Sequence, residues 1–226
     1  MIRLHIICEG QTEEMFINEV LYDVFYSKGI YLYPTVIGKL GHKGGNMKYE
    51  RLFPDLRNRL LSDTTSFCTT LFDFYGLHSG FPGKTDAIRK NDTASKANCL
   101  LNAFTERLRH DLGEEPLRRF IPYVQMFEFE GLLFSDTTNL AKAINKPHLS
   151  TCFQNIRSQF STPEDINNSP IYAPSKRIMA LDTEYDKPVS GSLAAIEIGI
   201  DTIRKECPLF NKWLENIETL QEIRYA

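Results

Sequence analysis

The sequence predicts an α/β fold: a mostly parallel sheet flanked by helices, followed by a largely helical C-terminal portion. Two observations carry this. Short apolar runs alternate with stretches whose apolar residues recur at helical spacing, and elements of these lengths form βαβ units with the sheet covered on both faces. A third observation points to function. Three of the runs end in acid, at Glu9, at Asp73 and at the pair Glu128/Glu130, and parallel sheets bind ligands beyond the carboxyl ends of their strands.

The elements follow in order. Residues 2–8 (IRLHIIC) are rich in Ile and Leu and lack turn residues, which suits a buried strand. Residues 12–28 place Phe16, Val20, Val24 and Phe25 on one helical face, with Gln11 or Thr12 as cap and Gly29 as stop. Residues 30–37 read as the second strand. Residues 38–46 (GKLGHKGGN) form a flexible, basic, glycine-rich loop. Residues 47–61 are helical, with Leu52, Leu56, Leu60 and Leu61 on one side. Residues 67–75 (FCTTLFDFY) are the third strand, 76–92 a long polar loop, and 94–110 a helix. Residues 120–129 (FIPYVQMFEF) are a strand that runs into acid. Beyond Asp136, helices are expected at 138–143, 149–160, 193–205 and 208–217. A loop at 161–174 holds three prolines. The chain thus divides into an α/β core, 1–136, and a mostly helical portion, 137–226, packed on it. No linker separates the two, so one continuous domain is equally admitted.

The 226 residues are 42% hydrophobic and 24% charged, the composition of a globular protein with a real core. The formal net charge of -3 supplies no global basic field, so a polyanionic partner would need local cations. Five cysteines without a CxxC pair indicate neither a disulfide framework nor a thiolate zinc site. Cys8 and Cys68 read as core residues. No signal-peptide pattern and no bilayer-length apolar stretch occurs, which predicts a cytoplasmic protein without membrane association.

Carboxylates gathered from separate strand ends repel one another and raise each other's pKa. A divalent cation removes that conflict. Mg²⁺ or Mn²⁺ takes hard oxygen ligands and can serve phosphodiester cleavage. The candidate ligands are Glu9, Glu13, Asp73, Glu128 and Glu130, with Glu9 also a candidate base. Glu13 has a second reading as a capping-box residue reaching back toward Gly10. Candidate phosphate contacts are Lys43 in the glycine-rich loop, Lys84 in Pro82-Gly83-Lys84, and Lys176-Arg177. These last two are cations at a helix start, against the dipole. Lys187 is a weaker candidate of the same kind, and His78 could assist proton transfer. The glycine-rich loop lacks P-loop order, so nucleotide hydrolysis is not expected.

The stretch Cys8-Glu9-Gly10-x-Thr12-Glu13 after a strand resembles the first motif of Toprim domains, the Rossmann-like fold of topoisomerases, primases and OLD-family nucleases. Leu71-Phe72-Asp73-Phe74-Tyr75-Gly76 resembles the family's Asp-x-Asp motif, with Tyr75 at the second aspartate. Glu128, Glu130 or Asp136 would then supply the missing ligand. With 127–136 (FEFEGLLFSD) and 173–177 (APSKR), the pattern is similar to a bacterial Toprim-like family of unknown function related to OLD-family and RloB-like defence nucleases. The resemblance implies a Mg²⁺- or Mn²⁺-dependent nuclease acting on DNA or RNA in anti-phage defence. Glu9, Asp73 and Lys176 would be catalytic, and a companion ATPase would come from another chain. Oligomeric state stays open, homodimer included. The alternative is a non-catalytic module binding nucleic acid or protein within a defence complex.

Overall fold

The computed structural model describes residues 1–37, 46–167 and 170–223. Lys43, with most of the glycine-rich loop, lies outside the described residues. Four strands, β1 (Ile2–Cys8), β2 (Ile30–Val36), β3 (Phe67–Leu71) and β4 (Phe120–Ile121), form one all-parallel sheet in the order β2-β1-β3-β4. The chain runs outward from β1 to β2, then crosses back to build β3 and β4 on the other side. Its direction of winding therefore reverses between β1 and β3. Loops leaving these two strands diverge and open a crevice at their carboxyl ends. The Glu9 amide donates to the Leu71 carbonyl (3.1 Å), so the β1–β3 ladder carries Glu9 to the lip of that crevice.

The helices are α1 (Gln11–Phe16), α2 (Tyr22–Tyr26), α3 (Tyr49–Ser62), α4 (Lys84–Ile88), α5 (Thr93–Leu112) and α6 (Glu114–Leu117). Then come α7 (Thr137–Ala143), α8 (Ser150–Arg157), α9 (Pro174–Leu181), α10 (Lys187–Ile198), α11 (Ile200–Glu206), α12 (Pro208–Glu218) and α13 (Leu220–Ile223). Leu52, Leu56 and Leu60 of α3 and Leu100, Phe104 and Leu108 of α5 cover one face of the sheet, meeting Ile7 and Cys68. The opposite face of β1, Leu4, Ile6 and Cys8, packs against Phe16 and Phe25. Leu140, Phe153, Ile178, Ala194, Ile203 and Trp213 of the C-terminal helices join that same apolar cluster. The C-terminal half thus completes one face of the sheet.

Four elements differ from expectation for identifiable reasons. The helix expected at 12–28 is broken by a π-helical turn at Ile17–Leu21, a local irregularity that periodicity does not report. The strand expected at 120–129 is continuous over Phe120–Ile121 only, because Pro122 has no N–H for the ladder, and pairing resumes beyond it as a single Asp73–Gln125 bridge. Thr69 and Thr70 instead bind the Ile121 and Tyr123 carbonyls through their hydroxyls (2.6 Å each). The loop at 76–92 contains α4, entered through Gly83 at φ 78°. The helix at 193–205 begins earlier, at Lys187 under an Asp186 cap, and splits at Gly199 with φ 81°.

Trp213 ties the C-terminal half to the sheet. Its indole Nε1 donates to Thr69 Oγ1 (2.9 Å), and its ring stacks on Tyr123 at 4.5 Å. Trp213→Ala should remove about 3–5 kcal/mol of stability. An unchanged urea midpoint would refute this anchoring role.

Candidate active site

The crevice between β1 and β3 gathers the strand-end acids. Glu9 follows β1 directly, and its Oε2 accepts the Asp73 amide (3.1 Å). Asp73 follows β3, and its Oδ1 accepts the Phe129 amide (2.8 Å). Glu13 sits in the first turn of α1, where its Oε2 accepts the Gly10 amide (2.8 Å). It therefore makes the reach back to Gly10 while remaining among the other acids. Glu128 Oε2 accepts the Ser175 amide at the start of α9 (2.9 Å). Each of these four carboxylates has one oxygen oriented by a backbone N–H, which restricts its rotamer.

The approach to Glu128 is bent. Phe127 adopts φ 65°, a conformation that a bulky residue enters only under constraint. Its carbonyl accepts the Tyr75 amide (3.1 Å), and its ring meets Phe74 and Tyr75 at 5.9 and 5.7 Å. The turn ends the pairing with the β3 segment and brings Glu128 and Glu130 toward the β1 and β3 tips.

Crowding shapes the protonation of the cluster. Burial pushes Glu13 up to about 7, and the charges of Glu9 and Glu130 push the same way. Burial also raises Asp73 well above the ordinary carboxylate range, reinforced by Glu13, Glu9, Glu130 and Glu128. A carboxyl whose folded pKa is raised stabilises the fold below its ordinary pKa, and this stability is lost as pH rises through the folded value. The metal-free protein should thus lose stability from this cluster between about pH 4.5 and 7. For Glu13 the loss is on the order of 2 kcal/mol. Glu13→Gln should flatten this slope in thermal melts at pH 5 and 7.5. Equal slopes for variant and wild type would contradict the crowding.

A cation from the C-terminal half reaches the same place. Lys187, the first residue of α10, lies 3.2 Å from Glu130 Oε1 and 3.8 Å from Glu128 Oε1. Glu130 is fully buried, and burial raises its pKa although Lys187 opposes this. Gly191 lets α10 approach, because a Cβ there would meet the Tyr185 hydroxyl at 3.2 Å and Phe129 at 3.5 Å. Nothing local in the sequence connects Lys187 to acids some 60 residues earlier, so only the fold reveals this pairing.

The other expected cations are placed differently. Lys84 is buried, with its ammonium donating to the Phe74 carbonyl and lying 3.2 Å from the centre of the Phe74 ring. Burial lowers its pKa to about 7, against the pull of Glu9. Lys176 is exposed on α9. Arg177 donates to the Tyr172 carbonyl (2.8 Å) and lies over the Phe160 ring at 5.3 Å. Asp136 caps α7, accepting the amides of Thr138 and Asn139 (3.0 Å each). His78 Nδ1 accepts the Gly80 amide (2.9 Å).

The structure therefore brings together Glu9, Glu13, Asp73, Glu128, Glu130 and Lys187, with Lys84 just beneath. Among the described residues, no three His, Cys, Asp or Glu side chains are already spaced as a metal shell. The donor set is nonetheless all carboxylate, the hard-oxygen chemistry that suits Mg²⁺ or Mn²⁺ and not a soft metal. A family described as a domain of unknown function (DUF4276) matches residues 8–218. The chain belongs to that family. The match opens one residue before Glu9 and extends past Lys187, so every acid of the cluster and its lysine lie within the DUF4276 region. No curated protein and no solved structure matches the chain. No helix among the described residues is long and apolar enough to cross a membrane.

Proposed function

We propose that this DUF4276 protein is a Mg²⁺- or Mn²⁺-dependent nuclease that hydrolyses phosphodiester bonds of DNA or RNA. The observation that carries the reading is the convergence of Glu9, Glu13, Asp73, Glu128 and Glu130 on one crevice where the sheet reverses its winding. Glu9, Asp73 and one or both of Glu128 and Glu130 would hold the ion. When bound, it would supply charge neutralisation and Lewis-acid activation. Backbone amides hold Glu9, Asp73 and Glu128 in place, so little reorganisation is needed for them to act. Lys187 offsets the charge of Glu128 and Glu130 from the protein side. Lys176 and Arg177 stand at the start of α9, whose Ser175 amide already grips Glu128. They are suited to meet the flanking phosphates. The Toprim resemblance of the Glu9 and Asp73 motifs supports the same chemistry, and it adds anti-phage defence with a companion ATPase as context.

Tyr75 in place of a second aspartate favours a second reading, a module that binds nucleic acid or protein without cutting. Incubation with supercoiled plasmid, single-stranded DNA and structured RNA, in Mn²⁺, Mg²⁺ or EDTA, separates the two. Metal-dependent cutting of any one polymer supports the nuclease. Binding without cutting, with a companion ATPase supplied, would establish the module.

A further inference from the structure

We propose that a groove beside the acidic cluster holds an unpaired base, so that the substrate is single-stranded where it is cut. This rests on the nuclease reading and narrows its substrate. The groove lies between the start of α5 and residues 159–167, with a volume of about 640 Å³, in the range of sites for small molecules. It adjoins the acids, because its Phe127 directly precedes Glu128, and because Asn167 lies near the hydroxyl of Tyr75, two residues past Asp73.

Its lining suits a base better than a phosphate. Of its two aromatic rings Phe160 is half-buried and Phe127 is buried, and the neutral amides of Asn91, Gln159 and Asn167 accompany them. Aromatic rings stack on bases, and amides match the mixed donors and acceptors of base edges. Lys96 is the one cation among the described lining residues, and its ammonium donates to the Lys90 carbonyl; the lining also holds the carboxylates of Asp92 and Asp165. Both acids are engaged within the fold: Asp92 accepts the Ser95 amide (2.8 Å), and Asp165 accepts the Thr93 hydroxyl (2.5 Å). Arg177 stacks on Phe160 and helps to hold its ring in place. Asn167 Oδ1 is buried and has no hydrogen-bond partner among the described residues. An amino or imino group of a base would satisfy it, removing the penalty of a buried acceptor. A base inside a duplex is paired and stacked, so it cannot enter such a groove without being flipped out. On this reading Tyr75 supports the base pocket, at the position where the motif would otherwise place an acid.

The test is fluorescence anisotropy with a labelled ten-nucleotide single strand and its blunt duplex, in Ca²⁺ and in EDTA. Wild type should bind the single strand at least about tenfold more tightly than the duplex. Phe160→Ala and Asn167→Ala should each weaken single-strand binding about tenfold, with Phe160→Tyr close to wild type. Asn91→Ala changes an exposed position that does not threaten folding, and should weaken single-strand binding about threefold. Duplex binding should move in none of them. Equal affinity for strand and duplex, or wild-type binding by the folded variants, overturns the proposal. If wild type cuts nucleic acid while those variants bind single strands normally, the groove assignment fails and the nuclease stands. If wild type neither binds nor cuts any nucleic acid, both fail.

Discussion

Glu9→Gln should reduce metal-dependent cleavage by about three orders of magnitude, since a metal ligand that helps bear transition-state charge contributes several kcal/mol. The fold should survive. Glutamine keeps a carbonyl oxygen that can accept the Asp73 amide, the bond Glu9 Oε2 makes at 3.1 Å. Asp73→Asn should behave alike, because its remaining oxygen can still accept the Phe129 amide. Both variants remove one negative charge from a crowded cluster, so their metal-free thermal midpoints should equal or exceed that of wild type at pH 7.5. The decisive comparison is cleavage rate against thermal midpoint, measured on the same preparations. Loss of activity with retained or raised stability identifies a functional carboxylate. Activity unchanged in either variant removes these acids from the chemistry.

Gly76→Ala should separate fold from function more sharply. A Cβ at residue 76 would overlap both carboxylate oxygens and the carboxyl carbon of Glu9. The obstructing group is the end of a flexible side chain, so the backbone need not move. Gly76 also has no left-handed φ to defend. One methyl group should thus expel the Glu9 carboxylate from its bond to the Asp73 amide at a stability cost below about 1.5 kcal/mol. Cleavage should fall at least about a hundredfold, the loss expected when a catalytic group is misplaced by about 1 Å. Adding Gly76→Ala to Glu9→Gln should cost little more, because the two changes disable the same group. Additive losses would show that Gly76 acts elsewhere.

Much of the framework was legible before the structure. The strands β1, β2 and β3 and the helices α3, α5 and α12 follow from apolar runs and helical spacing, with ends shifted by a few residues. The site was legible in part. Acids that follow adjacent parallel strands lie at one edge, so Glu9 and Asp73 were identifiable together, whereas Glu128 and Glu130 lie beyond the two-residue β4 and reach that edge through the turn at Phe127. The break in helical order at Ile17–Leu21 and the early end of β4 at Pro122 were not. Both depend on how neighbouring elements satisfy backbone groups. Asp136 offers a related lesson. A capping aspartate and a metal-binding aspartate have the same sequence signature until the partners of the carboxylate are known.

The α/β class, the parallel sheet and the positions of Glu9 and Asp73 at its carboxyl edge follow from the residues alone, because periodicity and strand-end placement are local properties. Which group each acid meets is set by the packing of distant elements. It set the Glu9 carboxylate against Gly76, carried Lys187 from α10 to Glu130, buried Lys84 on Phe74, and brought Tyr75 near Asn167. These pairs lie between 10 and 92 residues apart. Their meeting depends on where the sheet reverses and how the C-terminal helices close over β1, which no single stretch of chain encodes.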